Sequence, residues 1–411
     1  MLNRFVSKTP TVERLMSPAL TGLFACACGV SVANVYYAQP LLDALAVEFS
    51  IAPAAVGGVI TATQLGSGLA LLLLVPLGDL LPRRKLMLWQ LLSLVLALLG
   101  VACAQSMLAL MTGMLAVGLL GTAMTQGLLA YAATAAMPAE RGRVVGAAQG
   151  GVVVGLLLAR VLAGGIADLS SWRGVYVASA TAMLGLAIVL WRALPDQSLP
   201  EHKLSYATLI ASMFTLMRHD RVLVVRGTIA LLMFTAFSVF WSALVLVLSA
   251  PPYGFSHTLI GAFGLVGAAG ALGAARAGYW ADRGLGQWTS GLALALLLLS
   301  WVPIAFTTHS IWALVIGIVA LDLGGQAIHV TNQSMILHTN AAVHSRLIGC
   351  YMVFYAVGSG VGAIASTAIY AQYGWDGVCA LGAAVSAIAL LFWALTRPSD
   401  VRHAPGVCCP R

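Results

Sequence analysis

Pro76-Leu77-Gly78-Asp79-Leu80-Leu81-Pro82-Arg83-Arg84-Lys85 is a charged knot between two long apolar runs. It concentrates one carboxylate and three cations in a chain of 411 residues that is 60% hydrophobic and only 8% charged. Soluble domains carry roughly 25% charged residues, so the composition excludes an ordinary globular protein and indicates a polytopic membrane protein. A weaker copy of the knot follows as Gly278-Tyr279-Trp280-Ala281-Asp282-Arg283, with Asp79 and Asp282 separated by 203 positions. The same 203 separates Arg143 from Arg346 and Trp172 from Trp375. Three landmarks with one offset indicate an internal duplication.

Working outward from the knot, charge-free windows run over 15–42, 49–78, 86–139, 174–191, 227–275, 347–375 and 377–396. A helix needs about 20 apolar residues to cross the hydrocarbon. The windows 86–139 and 227–275, and 284–345 with its single charge Asp322, are therefore double. Their folds are expected at Ala104-Gln105-Ser106, Pro251-Pro252-Tyr253-Gly254 and Thr307-Thr308-His309-Ser310. The sequence thus predicts an all-α membrane protein of twelve transmembrane helices in two parallel six-helix repeats. Residues 1–194 form the first bundle, 195–225 a linker with an amphipathic stretch near Tyr206–Met217, 226–396 the second bundle and 397–411 a tail.

The net charge of +8 is a matter of placement. With the N-terminus inside, all the Lys and Arg residues except Arg160 and Arg173 fall on the cytoplasmic side. That asymmetry predicts both termini in the cytoplasm, so the basic balance needs no nucleic acid. The seven cysteines form no ligand-like framework, and Cys408-Cys409 with His403 reads as a frayed tail rather than a soft-metal site. No cleavable signal peptide is read in the run from Ser17. Neither a Gly-x-x-x-x-Gly-Lys-(Ser/Thr) loop nor a metal-ligand spacing is present, so no enzyme, no cofactor and no metal centre is expected.

The knot resembles the loop signature of the major facilitator superfamily, Gly-x-x-x-Asp-(Arg/Lys)-x-Gly-(Arg/Lys)-(Arg/Lys), which follows the second helix and recurs after the eighth. Val75, Leu80 and Pro82 depart from it. The resemblance implies that Asp79, Arg83 and Arg84, and in the second copy Asp282 and Arg283, form a latch made when the cytoplasmic side is closed. The alternative is that the cations only anchor topology. Helix 5, from Gly155 to Gly165, is similar to the family's antiporter signature Gly-x-x-x-Gly-Pro-x-x-Gly-Gly, with Ala159 and Arg160 where Gly and Pro stand. The branch most like this chain is bacterial, proton-coupled drug efflux.

Two polar features inside apolar helices carry the functional expectation. An arginine in such a helix is costly unless paired or wet, and Arg160 lies 17 residues beyond Arg143, about 25 Å along a helix. That puts it in the periplasmic half. Asp322, Gln326, His329 and Gln333 fall at i, i+4, i+7 and i+11, one face of the tenth helix. Gln126 meets His329 at the offset of 203. Asp322 with Arg160 or His329 is therefore expected to couple protons and bind substrate, the competing reading being a static buried ion pair. Asn34, Tyr36, Tyr37, Gln39, Gln64, Tyr131, Trp241, Tyr351 and Tyr355 are further cavity candidates, each of which could equally be packing.

The expectation is a secondary transporter of the bacterial inner membrane, working by alternating access as a monomer. Its partners are the lipid bilayer, a small molecule and protons. Transport of a small polar metabolite, and a non-transporting membrane sensor on the same fold, are the alternatives.

Overall fold

Polar residues stand where helices begin. Ser17, Ser106, Ser171, Ser205, Asp220 and Ser256 each precede a helix, and each accepts a hydrogen bond from the backbone N–H three residues on, at 2.9–3.4 Å. Such caps satisfy donors that the first helical turn leaves without partners. They cut long apolar stretches into separate spans.

The computed structural model describes residues 17–137, 140–194, 205–337 and 344–397, with backbone alone at 79, 269, 271–275, 344 and 345. The first half contains α1 (Pro18–Ala33), α2 (Pro53–Gly78), α3 (Arg83–Ala102), α4 (Met107–Ala135), α5 (Arg141–Leu169) and α6 (Trp172–Ala193). The second contains α7 (Arg221–Ser249), α8 (His257–Trp280), α9 (Gly286–Leu299, extended by Trp301–Ala305) and α10 (Ile311–Leu337). One long helical stretch then breaks at Gly374 into α11 (344–373) and α12 (375–396). Among the described residues these are twelve crossing helices, with no strand. α4, α5 and α7 have 29 residues each, about 44 Å at 1.5 Å per residue. They exceed the roughly 30 Å hydrocarbon and therefore project beyond it or tilt.

The duplication reappears in the packing. In the first half α1 lies against α5, α2 against α4, and α3 against α4 and α6; in the second α7 lies against α11, α8 against α10, and α9 against α10 and α12. Trp172 and Trp375, at the offset of 203, open α6 and α12. Across the halves α5 meets α8 and α2 meets α11, again equivalent pairs. Trp89, Leu96, Trp191 and Trp312 project from the outer surface more than half exposed, as lipid-facing side chains do.

Helix ends depart from α geometry at two places. α1 stops at Ala33, and turns and a short 3-10 segment (Gln39–Leu41) lead into a small helix, Leu42–Glu48. α2 runs through a π segment (Ala70–Leu74) and a 3-10 segment (Val75–Asp79) into the knot. There Arg83 donates to Gly78 O at 2.9 Å, Ala130 O at 3.2 Å and Thr134 Oγ1 at 2.9 Å, while Arg84 donates to Trp191 O. The Asp79 side chain, the carboxylate half of the expected latch, lies outside the described residues. In the second copy Ser334 donates to Asp282 Oδ1 at 2.7 Å, and Arg283 lies 4.1 Å over the Tyr279 ring.

The linker contains one amphipathic helix, Tyr206–His219, with Leu209 and Met213 turned inward. Tyr206 donates its hydroxyl to Leu73 O at 2.8 Å, and Arg346 donates to Ser212 at 2.9 Å, so this helix is tied to both halves. α7 begins at Arg221, so the final residues expected as linker belong to it. The Cys408-Cys409 tail and His403 lie outside the described residues.

Candidate functional site

The two halves meet around Arg160, in the middle of the α5–α8 crossing, 3% exposed. Its Nε donates to Gln39 Oε1 at 2.8 Å, its guanidinium lies 4.1 Å from the Trp241 ring centre and 5.7 Å from that of Tyr36, and its Nη2 has no partner. Gln39 and Tyr36 come from the irregular chain after α1, and Trp241 from the C-terminal third of α7. Non-helical backbone at membrane depth persists only where it is buried in protein or lines a cavity, and here it supplies the arginine's acceptor. A guanidinium over indole and phenol faces also gains cation–π attraction.

Asp322 on α10 is 5% exposed, and its Oδ2 lacks a hydrogen-bond partner. It rests on α8 at Gly267, where a Cβ would collide with the carboxylate, and at Gly270. Arg160 touches the same helix one turn earlier, 3.2 Å from a Cβ placed on Gly264. Glycine at 267 is what lets α8 lie against the carboxylate, and glycine at 264 brings it close on the arginine. Among the described contacts no ion pair or hydrogen bond joins Asp322 to Arg160. Two opposite charges thus reach one helix, each with an unsatisfied polar atom in a buried seam. Trp241 Nε1 and Ser242 Oγ in the same helix layer also lack partners, and buried polar groups are nearly always paired in native proteins.

On the second-half side of the seam, Tyr355 on α11 shares a short hydroxyl–hydroxyl contact with Tyr36, and its ring meets Phe234 edge-on at 4.1 Å. Phe234 also contacts His329 at 5.3 Å. His329 Nδ1 pairs with the Tyr351 hydroxyl at 2.9 Å and Nε2 with Gln333 at 3.2 Å. The structure therefore brings Arg160, Trp241 and Tyr355 around Tyr36 and Gln39, with Asp322 one α8 turn away. His329 and Gln333 sit with Tyr351 in an adjoining cluster, and Gln326 is half-buried on the same helix. Asn34 is placed elsewhere: it accepts from Ser179 at 2.6 Å and donates to Val30 O, tying α1 to α6 within the first half. Tyr37 is buried on the same side, and Gln126 lines a separate cavity near the knot. The space at Arg160 itself, bounded by Gln39, Pro40, Trp241 and Gly261, is about 10 Å³, about one water's worth. The seam is closed.

At the face opposite the knot the halves are clasped by one histidine. His257, the first residue of α8, sets Nε2 against Asp43 at 3.0 Å and Nδ1 against Asp168 at 3.0 Å. Asp168, at the end of α5, also accepts from the His257 N–H at 3.2 Å, the Thr258 N–H at 2.8 Å and the Thr258 hydroxyl at 2.6 Å. Arg173 and Glu48 form a second pair on this face at 2.7 Å. The sequence reading does not identify the clasp, although Asp43 and Asp168 each terminate an apolar run. Among the described residues no group of three His, Cys, Asp or Glu is arranged to hold a metal ion.

Two halves of equivalent packing, each with the knot after its second helix, meet at a buried charged seam. The family model described as Major Facilitator Superfamily matches residues 22–336 and 277–407. The chain belongs to the major facilitator superfamily. It is 41% identical over 378 residues to a protein of Escherichia coli O157:H7 named uncharacterized transporter YgaY, covering 92% of this chain and 95% of that one. Among solved structures, a bacterial homologue of the human lysosomal transporter Spinster, in an inward-facing and occupied conformation, superposes with a TM-score of 0.74 at 13% identity, covering 92% of this chain and 96% of that one. A mutant of the nucleoside transporter NupG gives 0.70 at 12%, covering 92% and 99%. These structures establish a shared facilitator fold. The chain is a transporter and not an enzyme.

Proposed function

We propose that this transporter exports small amphipathic compounds in exchange for protons, by alternating access across the bacterial inner membrane, with both termini cytoplasmic and as a monomer. The observation that carries the reading is the seam: Arg160 and Asp322 come from opposite halves, lie against one stripe of α8 and each retain an unpartnered polar atom. A buried ion pair serving only as a strut favours direct, well-satisfied geometry. Groups left short of partners in a seam between moving halves suit an exchange of partners, with Asp322 protonated when apart from Arg160 and ionised when paired. The partial antiporter signature through Gly155 supports export. The position of Lys and Arg supports the orientation.

The test is internal pH in proteoliposomes carrying a proton gradient while lipophilic cations, sugars, amino acids and organic acids are added in turn. A substrate that dissipates the gradient in wild type and not in Asp322→Asn is the expected result. Full proton-driven transport by Asp322→Asn would overturn the coupling role, and binding without flux would favour the sensor.

A further inference from the structure

A second cavity lies at the knot end, walled by α2, α3 and α4, by α11 and by the linker helix. It has room for water-sized centres over about 70 Å³, about five waters by the same measure. Its walls are largely apolar, with Leu74, Met87, Leu209 and Met213 among them. Two uncharged polar side chains and two arginines break that pattern. Gln90 on α3 is 6% exposed and Gln126 on α4 is half-buried, and both line the cavity. No hydrogen bond within the protein engages either carboxamide among the described residues. Gln90 Oε1 lies 3.8 Å from where a Cβ on Gly127 would stand, which turns it across the cavity towards α4.

Both carboxamides present their donors and acceptors to the cavity without a protein partner, so they are free to engage a molecule that arrives from outside. The backbone agrees. The cavity-lining residues Leu71 and Leu74 belong to the π segment of α2, and Val75, Pro76 and Gly78 to its 3-10 segment. Irregular backbone of this kind recurs at functional sites.

Arg83 and Arg346 complete the lining. Arg83 is engaged with Gly78, Ala130 and Thr134, while Arg346 gives Nη1 to Ser212 of the linker helix. A guanidinium has five donors in a planar fork, so Arg346 can hold Ser212 and still face an anion. Described lining side chains include no carboxylate.

We propose that this cavity binds a short-chain compound with a planar carboxamide or carboxylate head, read by Gln90 and Gln126, with Arg346 favouring the anion. The site is distinct from the Arg160 seam, and its service as a substrate station rests on the transport reading above. The linker helix contributes Leu209 and Met213 to one wall.

Binding is measured on full-length protein in lipid nanodiscs by saturation-transfer NMR, with butanamide, butyrate and butylammonium as probes of equal chain and different head charge. Butanamide and butyrate are expected to bind, and butylammonium at least tenfold more weakly. Gln90→Leu weakens butanamide about tenfold while its melting temperature stays within a few degrees of wild type, since the carboxamide it removes bonds to no other protein group. Gly127→Val fills the cavity from the opposite wall and gives the same loss should Gln90→Leu fail to fold. Arg346→Gln abolishes any preference for butyrate and leaves butanamide unchanged. Equal binding of all three probes, or wild-type binding by the folded variants at 90 and 127, overturns the proposal. Asp322→Asn protein binds the probes as wild type does, so failure of proton coupling and failure of this site are separately visible.

Discussion

Arg160 is kept in a low-dielectric seam by one hydrogen bond and two aromatic faces, so its direct acceptor is the contact whose loss is felt first. Gln39→Leu leaves the Nε donor without a partner, which costs about 1–3 kcal/mol or more for a charged group. A lowered melting temperature in detergent is expected, and an unchanged one would mean that water replaces Gln39. Asp322 is limited by shape. Gly267→Val would ordinarily favour a helix, since glycine is about 1 kcal/mol worse than alanine there. The added carbons meet the carboxylate, and steric exclusion wins. Transport should fall at least tenfold with helical content unchanged by circular dichroism. Arg160 and Asp322 were legible in the sequence because an ionised residue in an apolar helix is conspicuous on its own. Gln39 emerged only as one of several polar residues near the end of the first helix, since nothing in the sequence shows which of Asn34, Tyr36, Tyr37 and Gln39 turns outward from the first half.

At the scale of the element, the helices were read from charge-free runs and polar punctuation, and Ser106, Ser171 and Ser256 explain why this works. Each is a cap as well as a break in the apolar pattern. The pattern carries no information on hydrogen-bond register, so the π and 3-10 turns of α2 were not legible beyond the hint of Pro76. The α11–α12 corner is a related case. Gly374 has φ 62° and ψ −155°, a region close to inaccessible to side-chain-bearing residues. Its equivalent at the offset of 203 is Ser171, whose backbone is extended. Gly374→Ala is expected to destabilise the protein by about 1–3 kcal/mol, read as a lower melting temperature. The same change made at Gly146, where a Cβ meets nothing within 4 Å, should not lower it.

For the whole molecule the duplication gave the two halves, yet the contacts that hold them at the closed face were hidden. Asp43, Asp168 and His257 share no repeat position, and their partners are 89 and 214 residues apart in sequence. His257 is the first residue of α8, at the helix terminus and a quarter exposed. Asp43 first, and Asp168 with it, hold its second proton above the ordinary histidine range. The sign follows from linkage. A site whose pKa is raised in the closed state stabilises closure fully below the ordinary histidine value and loses that stabilisation as pH rises through the raised one. Maleimide labelling of Val245→Cys, which lines the Arg160 space, should therefore quicken severalfold from pH 7 to pH 10 beyond the intrinsic change in thiol reactivity, measured on a free thiol. His257→Gln should remove that excess.

Asp168 does two things at once. It receives the histidine ring, and it receives the main-chain N–H groups of His257 and Thr258, so residues of one half complete the first turn of a helix in the other. In the proposed alternating access, parting of the halves on that face takes those acceptors from α8 and solvates its first turn. Deuterium uptake at these two amides then proceeds only during excursions of the open state, in the manner of local opening. The protein thus carries its own isotopic clock: the exchange rate of two amides counts the openings of one face without any added label.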